Sequence, residues 1–287
     1  MGRPARGPHH PHSPPEELQM EFQGKAQPML DADLAAALSQ MGLDPVGDLP
    51  VLWSVLTVES RGFGFLSDRR PKVLFERHIF FRETGGRYAG EAPDLCAKGG
   101  GGYIGGAAEY DRIARALALC RRDGLGDEPA LRSASWGLGQ VMGFNAIGAG
   151  FASAADMVAR MCQSEAAQLS GMAGFIRSEG LHAKLRARDW TGFARRYNGP
   201  EFWKNQYDLK LRGAFEKFSS GVSRDLRARA AQGALLFLGY RPGDPDGIVG
   251  QNTGNAIVAF RRDHGLGTSR ALDDAVFAAI MKKAGLD

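Results

Sequence analysis

Glu59 closes an apolar run, VLWSVLTVES over 51–60, and that setting changes what its carboxyl can do. Leu52, Val55, Leu56 and Glu59 recur three or four residues apart, so on a helix they share one face. A carboxylate at the end of an apolar stripe is disfavoured as an anion, and its pKa should rise. A carboxylic acid still protonated near neutral pH is what glycoside cleavage requires, because the departing oxygen must receive a proton. A lone glutamate at a helix end is more often a plain surface residue, so the chemistry needs partners. Segment 72–81 is rich in Val, Phe and Ile and reads as a strand. Glu76 and His78 lie two apart in it and would share one face.

The elements that must hold these groups follow from periodicity and punctuation. The helix carrying Glu59 should stop at Gly62, a residue suited to a left-handed cap. An earlier helix is expected from about Asp31 to Gly42, and an Asp-Pro turn at 44 and 45 separates the two. After the expected strand, ETGG at 83–86 suggests a turn to a second strand or a loop. KGGGGYIGG at 98–106 lacks the G-K-[ST] ending of a phosphate loop and reads as a flexible loop beside a cleft. Helical patterns cover 109–122, 154–179, 190–197 and 207–218. One small β-element among many helices predicts an α+β, mostly helical fold.

The chain has 287 residues, 44% hydrophobic and 24% charged, which is enough for two domains with sizeable cores. Residues 1–28, rich in Pro, Gly and His, read as a disordered leader or tag, and His9, His10 and His12 as solvated. The expected catalytic domain spans 29–218, SSGVS at 219–223 forms a linker, and 224–287 forms a three-helix module. Asp244 and Asp246 suggest a calcium loop, but its twelfth position would be Asn255 rather than Glu, so the Asp-Gly pair is assigned to a turn. Cys96, Cys120 and Cys162 show no C-x-x-C pairing and read as buried thiols, with no disulfide framework and no metal site. No apolar run is long enough to span a bilayer, and the N-terminal stretch lacks the apolar core of a secretory signal. The net charge of +4 would attract nucleic acid, an anionic membrane surface or an anionic wall polymer. The basic residues are scattered rather than gathered on one helix, which argues against nucleic acid.

VESRGFGF (58–65), RPKVLFERHIF (70–80), SASWGLGQVMGFN (133–145) and FARRYNGP (193–200) together resemble the phage and bacterial N-acetylmuramidases of modular endolysins. The shorter echoes A-S-x-G-L-x-Q and Y-N-G are similar to motifs of goose-type lysozymes and lytic transglycosylases. LGYRPGDPDGIVGQNTGNAIVAFRRDHGL (238–266) resembles the three-helix peptidoglycan-binding domain, departing from it at Gln251 and Asn252.

The resemblance implies a lysozyme-like catalytic domain that cleaves the β-1,4 bond between N-acetylmuramic acid and N-acetylglucosamine, with Glu59 as general acid. It implies Ser135, Trp136, Gln140, Tyr197 and Asn198 as cleft residues, joined by His78 beside Glu76. Gln140 can donate and accept toward an N-acetyl group. Trp136 can stack on a sugar or fill the core, and the Tyr197 hydroxyl can reach the acid or the substrate. Glu76 is the first candidate for the second carboxylate, with Asp68 and Glu83 as rivals and a structural pairing with Arg77 or Arg87 as the alternative. No cofactor is implied. The expected partner is peptidoglycan, met by a monomer without stable membrane insertion, made in the host cytoplasm and acting on the wall. A lytic transglycosylase on the same fold and a non-catalytic wall-binding protein are the competing readings.

Overall fold

The computed structural model describes residues 22–60, 62–222 and 224–287. The leader expected over 1–28 lies outside them as far as residue 21, with His9, His10 and His12. Residues 22–28 do not form a solvated tail. Phe22 and Ala26 are buried, as is Met29 just beyond them, and Phe22 stacks on Trp136 with ring centroids 5.6 Å apart. Gln27 pairs with Ser164 in an isolated parallel bridge. A few apolar side chains among polar residues have no period to announce them, yet each fills a place in the core.

The first helices are α1 (Asp31–Met41), capped by left-handed Gly42, and α2 (Leu49–Ser60). Pro50 sits in the first turn of α2, where a missing N–H costs nothing. Val51 through Leu56 are all buried, so α2 is apolar on every side and central rather than one-faced. It packs chiefly against α10 (Tyr207–Ser219). Gly62, at φ +78°, closes α2 by donating its N–H to the Leu56 carbonyl at 3.0 Å, as expected of a left-handed cap.

The strand expected over 72–81 is shorter. β1 is only Val73–Phe75, and Glu76 begins a turn into helix α3 (Arg77–Glu83). β1 pairs antiparallel with β2 (Ala134–Trp136), which pairs with β3 (Val141–Met142), so Val73 faces Trp136 and Ser135 faces Met142. Helix α4 (Glu109–Arg122) falls where the sequence places it, and α5 (Glu128–Arg132) leads into β2. The helix expected over 154–179 is two, α6 (Ala154–Gln163) and α7 (Glu165–Ser178). Ser164 is extended between them and its hydroxyl accepts the Ala167 N–H, so a capping serine ends one helix and starts the next. Short α8 (Leu181–Arg186) and then α9 (Trp190–Tyr197), capped by Asp189, precede α10.

The C-terminal part is α11 (Leu226–Phe237), α12 (Gln251–Asp263) and α13 (Asp274–Ala284), around a core that includes Leu235, Ile257, Phe260 and Ile280. Gln232 fixes the turn between α11 and α12: its amide bonds Asp246 at 3.0 Å, the Ile248 carbonyl and Thr253, and accepts the Gly247 N–H. This part is docked on the rest. Arg229 of α11 is 1% exposed and bonds both carboxylate oxygens of Glu165, itself fully buried, at 2.5 and 2.6 Å. The same guanidinium donates to the Gly62 carbonyl at 2.8 Å. Phe237 packs on Phe63 and Phe65 at 5.9 and 6.3 Å between centroids. Among the described residues no helix is long and apolar enough to cross a membrane.

Candidate active site

Glu59 occupies the last turn of α2, where the helix emerges from the core into a hollow of about 470 Å³. That hollow is lined also by Lys72, Val73, Gln140, Gly105 and Asp244. Burial pushes the Glu59 carboxyl up to about 7, against the opposing effect of the Asn198 side-chain amide, which donates to its Oε1 at 3.0 Å. Desolvation at the helix end thus outweighs the Asn198 donor and keeps a good part of this acid protonated near neutrality. Asn198 is held as the C-terminal cap of α9. Replacing Asn198 with Ala should move the alkaline limb of the rate profile to higher pH, by about one unit or less, because a donor to the anion is lost. A pH series of initial rates reads this.

Tyr197 does not bond Glu59. Its hydroxyl donates to the Gly139 carbonyl at 2.6 Å, locking α9 against the turn between β2 and β3. Desolvation, and secondarily the nearby Glu59 charge, hold its phenol well above the ordinary value. Gln140 adopts φ +47°, uncommon for a residue with a side chain, and its amide is engaged within the protein. It accepts the Ser135 hydroxyl at 3.1 Å and donates to the carbonyls of Gly137 at 2.8 Å and Lys72 at 3.3 Å. Gln140 lines both the Glu59 hollow and a second hollow of about 500 Å³ formed by Glu76, His78, Phe144, Phe175, Tyr197 and Asn198 among others. The two hollows thus share Gln140 as a common wall.

Trp136 is a core residue. It is fully buried, its indole N–H donates to the Leu131 carbonyl at 3.0 Å, and no face is open to a sugar. Gly137, at φ +70°, serves packing too, since a Cβ there would lie 2.8 Å from the Gln168 side chain. Trp136→Phe should lower stability by about 1–3 kcal/mol, as the Leu131 carbonyl loses its donor, while the KM for glycan stays unchanged. Denaturant titration alongside steady-state kinetics checks both halves.

Glu76 and His78 do not share a strand face, because Glu76 is the N-cap residue and His78 lies within α3. They nevertheless meet, with His78 Nδ1 3.2 Å from Glu76 Oε2. The Tyr103 hydroxyl from the glycine-rich loop donates to the Glu76 carboxylate at 2.9 Å. Neither expected arginine pairs with Glu76: Arg77 donates to the carbonyls of Gly99 and Gly100, and Arg87 lies 3.4 Å from Asp123. The rivals line neither hollow. Asp68 is held by Arg70, and Glu83 by Arg132 and Arg82.

The glycine-rich loop lies beside the cleft, as its composition suggests, but it is anchored. Glu109 accepts the N–H groups of Ile104 at 2.6 Å and Gly105 at 2.9 Å with one oxygen, and those of Phe75 and Arg112 with the other. Burial would raise that carboxyl, yet these donors hold it below the ordinary range. Tyr103 and Glu109 carry no local signal of a role at the site, since Tyr103 meets Glu76 across 27 residues and Glu109 meets the Phe75 N–H across 34, while Asp244, assigned from the sequence to a turn, lines the Glu59 hollow. Among the described residues no group of three or more His, Cys, Asp and Glu is placed to hold a metal ion.

Residues 48–219 match the sequence family described as N-acetylmuramidase, and residues 224–280 match that of a peptidoglycan binding domain. No curated protein matches the chain. The crystal structure of a Burkholderia AP3 phage endolysin is similar, with 37% identity and a TM-score of 0.59. That match covers 68% of this chain and 73% of the endolysin. A half-buried acid at a helix end, set in a cleft and followed by a wall-binding module, agrees with these matches, and the chain belongs to the N-acetylmuramidase family.

Proposed function

We propose that the chain is an endolysin muramidase in which Glu59 protonates the glycosidic oxygen between N-acetylmuramic acid and N-acetylglucosamine. The observation that carries this reading is the place of the half-buried Glu59 carboxyl, at the end of α2, bonded by Asn198 and facing the cleft, where desolvation pushes it up to about 7. Bond cleavage then leaves positive charge on the sugar carbon, and water must attack from the other face. Glu76 is the base for that water, oriented by the Tyr103 hydroxyl in the adjoining hollow, with His78 beside it. Tyr197, Asn198, Gln140, Ser135 and His78 shape the walls, Ser135 acting through Gln140. The domains divide at about residues 219–223, and the protein acts as a monomer, made in the host cytoplasm and released onto the wall. The C-terminal domain raises the local concentration of glycan.

Mass spectrometry of the fragments released from purified peptidoglycan tests the reading. Reducing N-acetylmuramic acid ends, lost in Glu59→Gln and in Glu76→Gln, are expected. Anhydro ends would make the protein a transglycosylase and remove the role of Glu76. Unchanged fragments from Glu59→Gln would overturn the assignment of the acid.

A further inference from the structure

We propose that the C-terminal domain completes the glycan cleft, with Asp244 accepting hydrogen bonds from saccharide hydroxyl or acetamido N–H groups beside Glu59. The proposal rests on the muramidase reading and extends it: the module described as a wall binder is also a wall of the active site.

Two independent observations support it. Asp244 lines the same hollow as Glu59, Lys72 and Gln140, although it belongs to the turn between α11 and α12. The domain carrying that turn is fixed rather than hung on a tether. Arg229 joins it to Glu165 and to the Gly62 carbonyl, which lies three residues beyond Glu59. Phe237 packs into the Phe63 and Phe65 rings, and Arg69 of the catalytic part lies over Phe237 and donates to the Ala284 carbonyl. Within the domain, Gln232 and buried Pro245 hold the turn, so the position of Asp244 is set by the fold. The two side-chain oxygens of an aspartate are acceptors, which suits the donor-rich edge of an N-acetylated sugar.

A simple tether and a composite cleft differ on a substrate too short to engage a separate wall-binding surface. The probe is a soluble, peptide-free tetrasaccharide of alternating N-acetylglucosamine and N-acetylmuramic acid. Its binding to the full chain carrying Glu59→Gln is measured by calorimetry, alone and with Asp244→Ala or Asp244→Asn added. The expected result is roughly tenfold weaker binding with Ala and near-parent binding with Asn, whose amide oxygen still accepts. Unchanged affinity with Ala, or an equal loss with Asn and Ala, would overturn the proposal. Failure of the muramidase reading shows elsewhere, as an intact tetrasaccharide after incubation with the chain carrying native Glu59, whatever the affinities are.

Discussion

Glu59→Gln is expected to reduce kcat on peptidoglycan by about a thousandfold while leaving glycan affinity close to that of the parent. Gln keeps the size of Glu and can still meet the Asn198 amide, so what is lost is the transferable proton. The same substitution should stabilise the fold at alkaline pH. In the unfolded chain Glu59 ionises near its ordinary value of 4.5, in the folded chain near 7. Between those values the native state holds the extra proton, so stability falls as pH rises and levels off above about 7. Gln does not titrate. The variant should therefore gain about 1–3 kcal/mol over the parent at about pH 8, and nothing at about pH 4. Thermal melts at the two pH values decide it. A stability gain without loss of activity would make the buried carboxyl a structural burden with no catalytic use.

The second large effect concerns Arg229. Arg229→Met should destabilise the chain by about 3–5 kcal/mol, because Glu165 would remain buried as an anion without its cation. The N–H groups of Gly64 and Met29 also donate to that carboxylate, but they do not replace a full charge. The Gly62 carbonyl would lose its guanidinium partner at the same time. For a chain of this length the melting temperature should fall by roughly 6–20 °C. Adding Glu165→Gln should restore much of the loss, since the uncompensated charge is then gone. A double-mutant cycle in denaturant measures the coupling. Equal losses from both single variants and their sum in the double would show that the pair contributes little.

These two sites were not equally legible in the sequence. Glu59 could be read because its cause is local: an apolar helix face, a carboxyl at its end and Gly62 to stop the turn. Arg229 could not, because Glu165 lies 64 residues away and neither residue carries a pattern of its own. The same distinction explains the other departures. Phe22 lies in a segment without hydrophobic period, and only the core cavity beside Trp136 gives it a role. The strand before α3 ends at Phe75, because Glu76, still bonded to the Ser133 carbonyl, is the N-cap residue of that helix and the next residues are helical. Ser164 interrupts what reads as one helix, since a serine within a helical pattern caps or continues according to packing. Trp136 had two open readings, sugar or core, and burial decides for core.

The docking seen at Phe237 and Arg229 limits how freely the two parts can be exchanged. Replacing the last three helices with an unrelated binding module would uncover Phe63 and Phe65 and strand Glu165 inside the catalytic part. A chimera would then tend to aggregate through the bared aromatic patch, even if each half were intact by itself. Engineers who wish to retarget such an enzyme should graft only the outer surface of the module, keeping an arginine and a phenylalanine where Arg229 and Phe237 stand. The join, more than the choice of module, sets which recombinants survive.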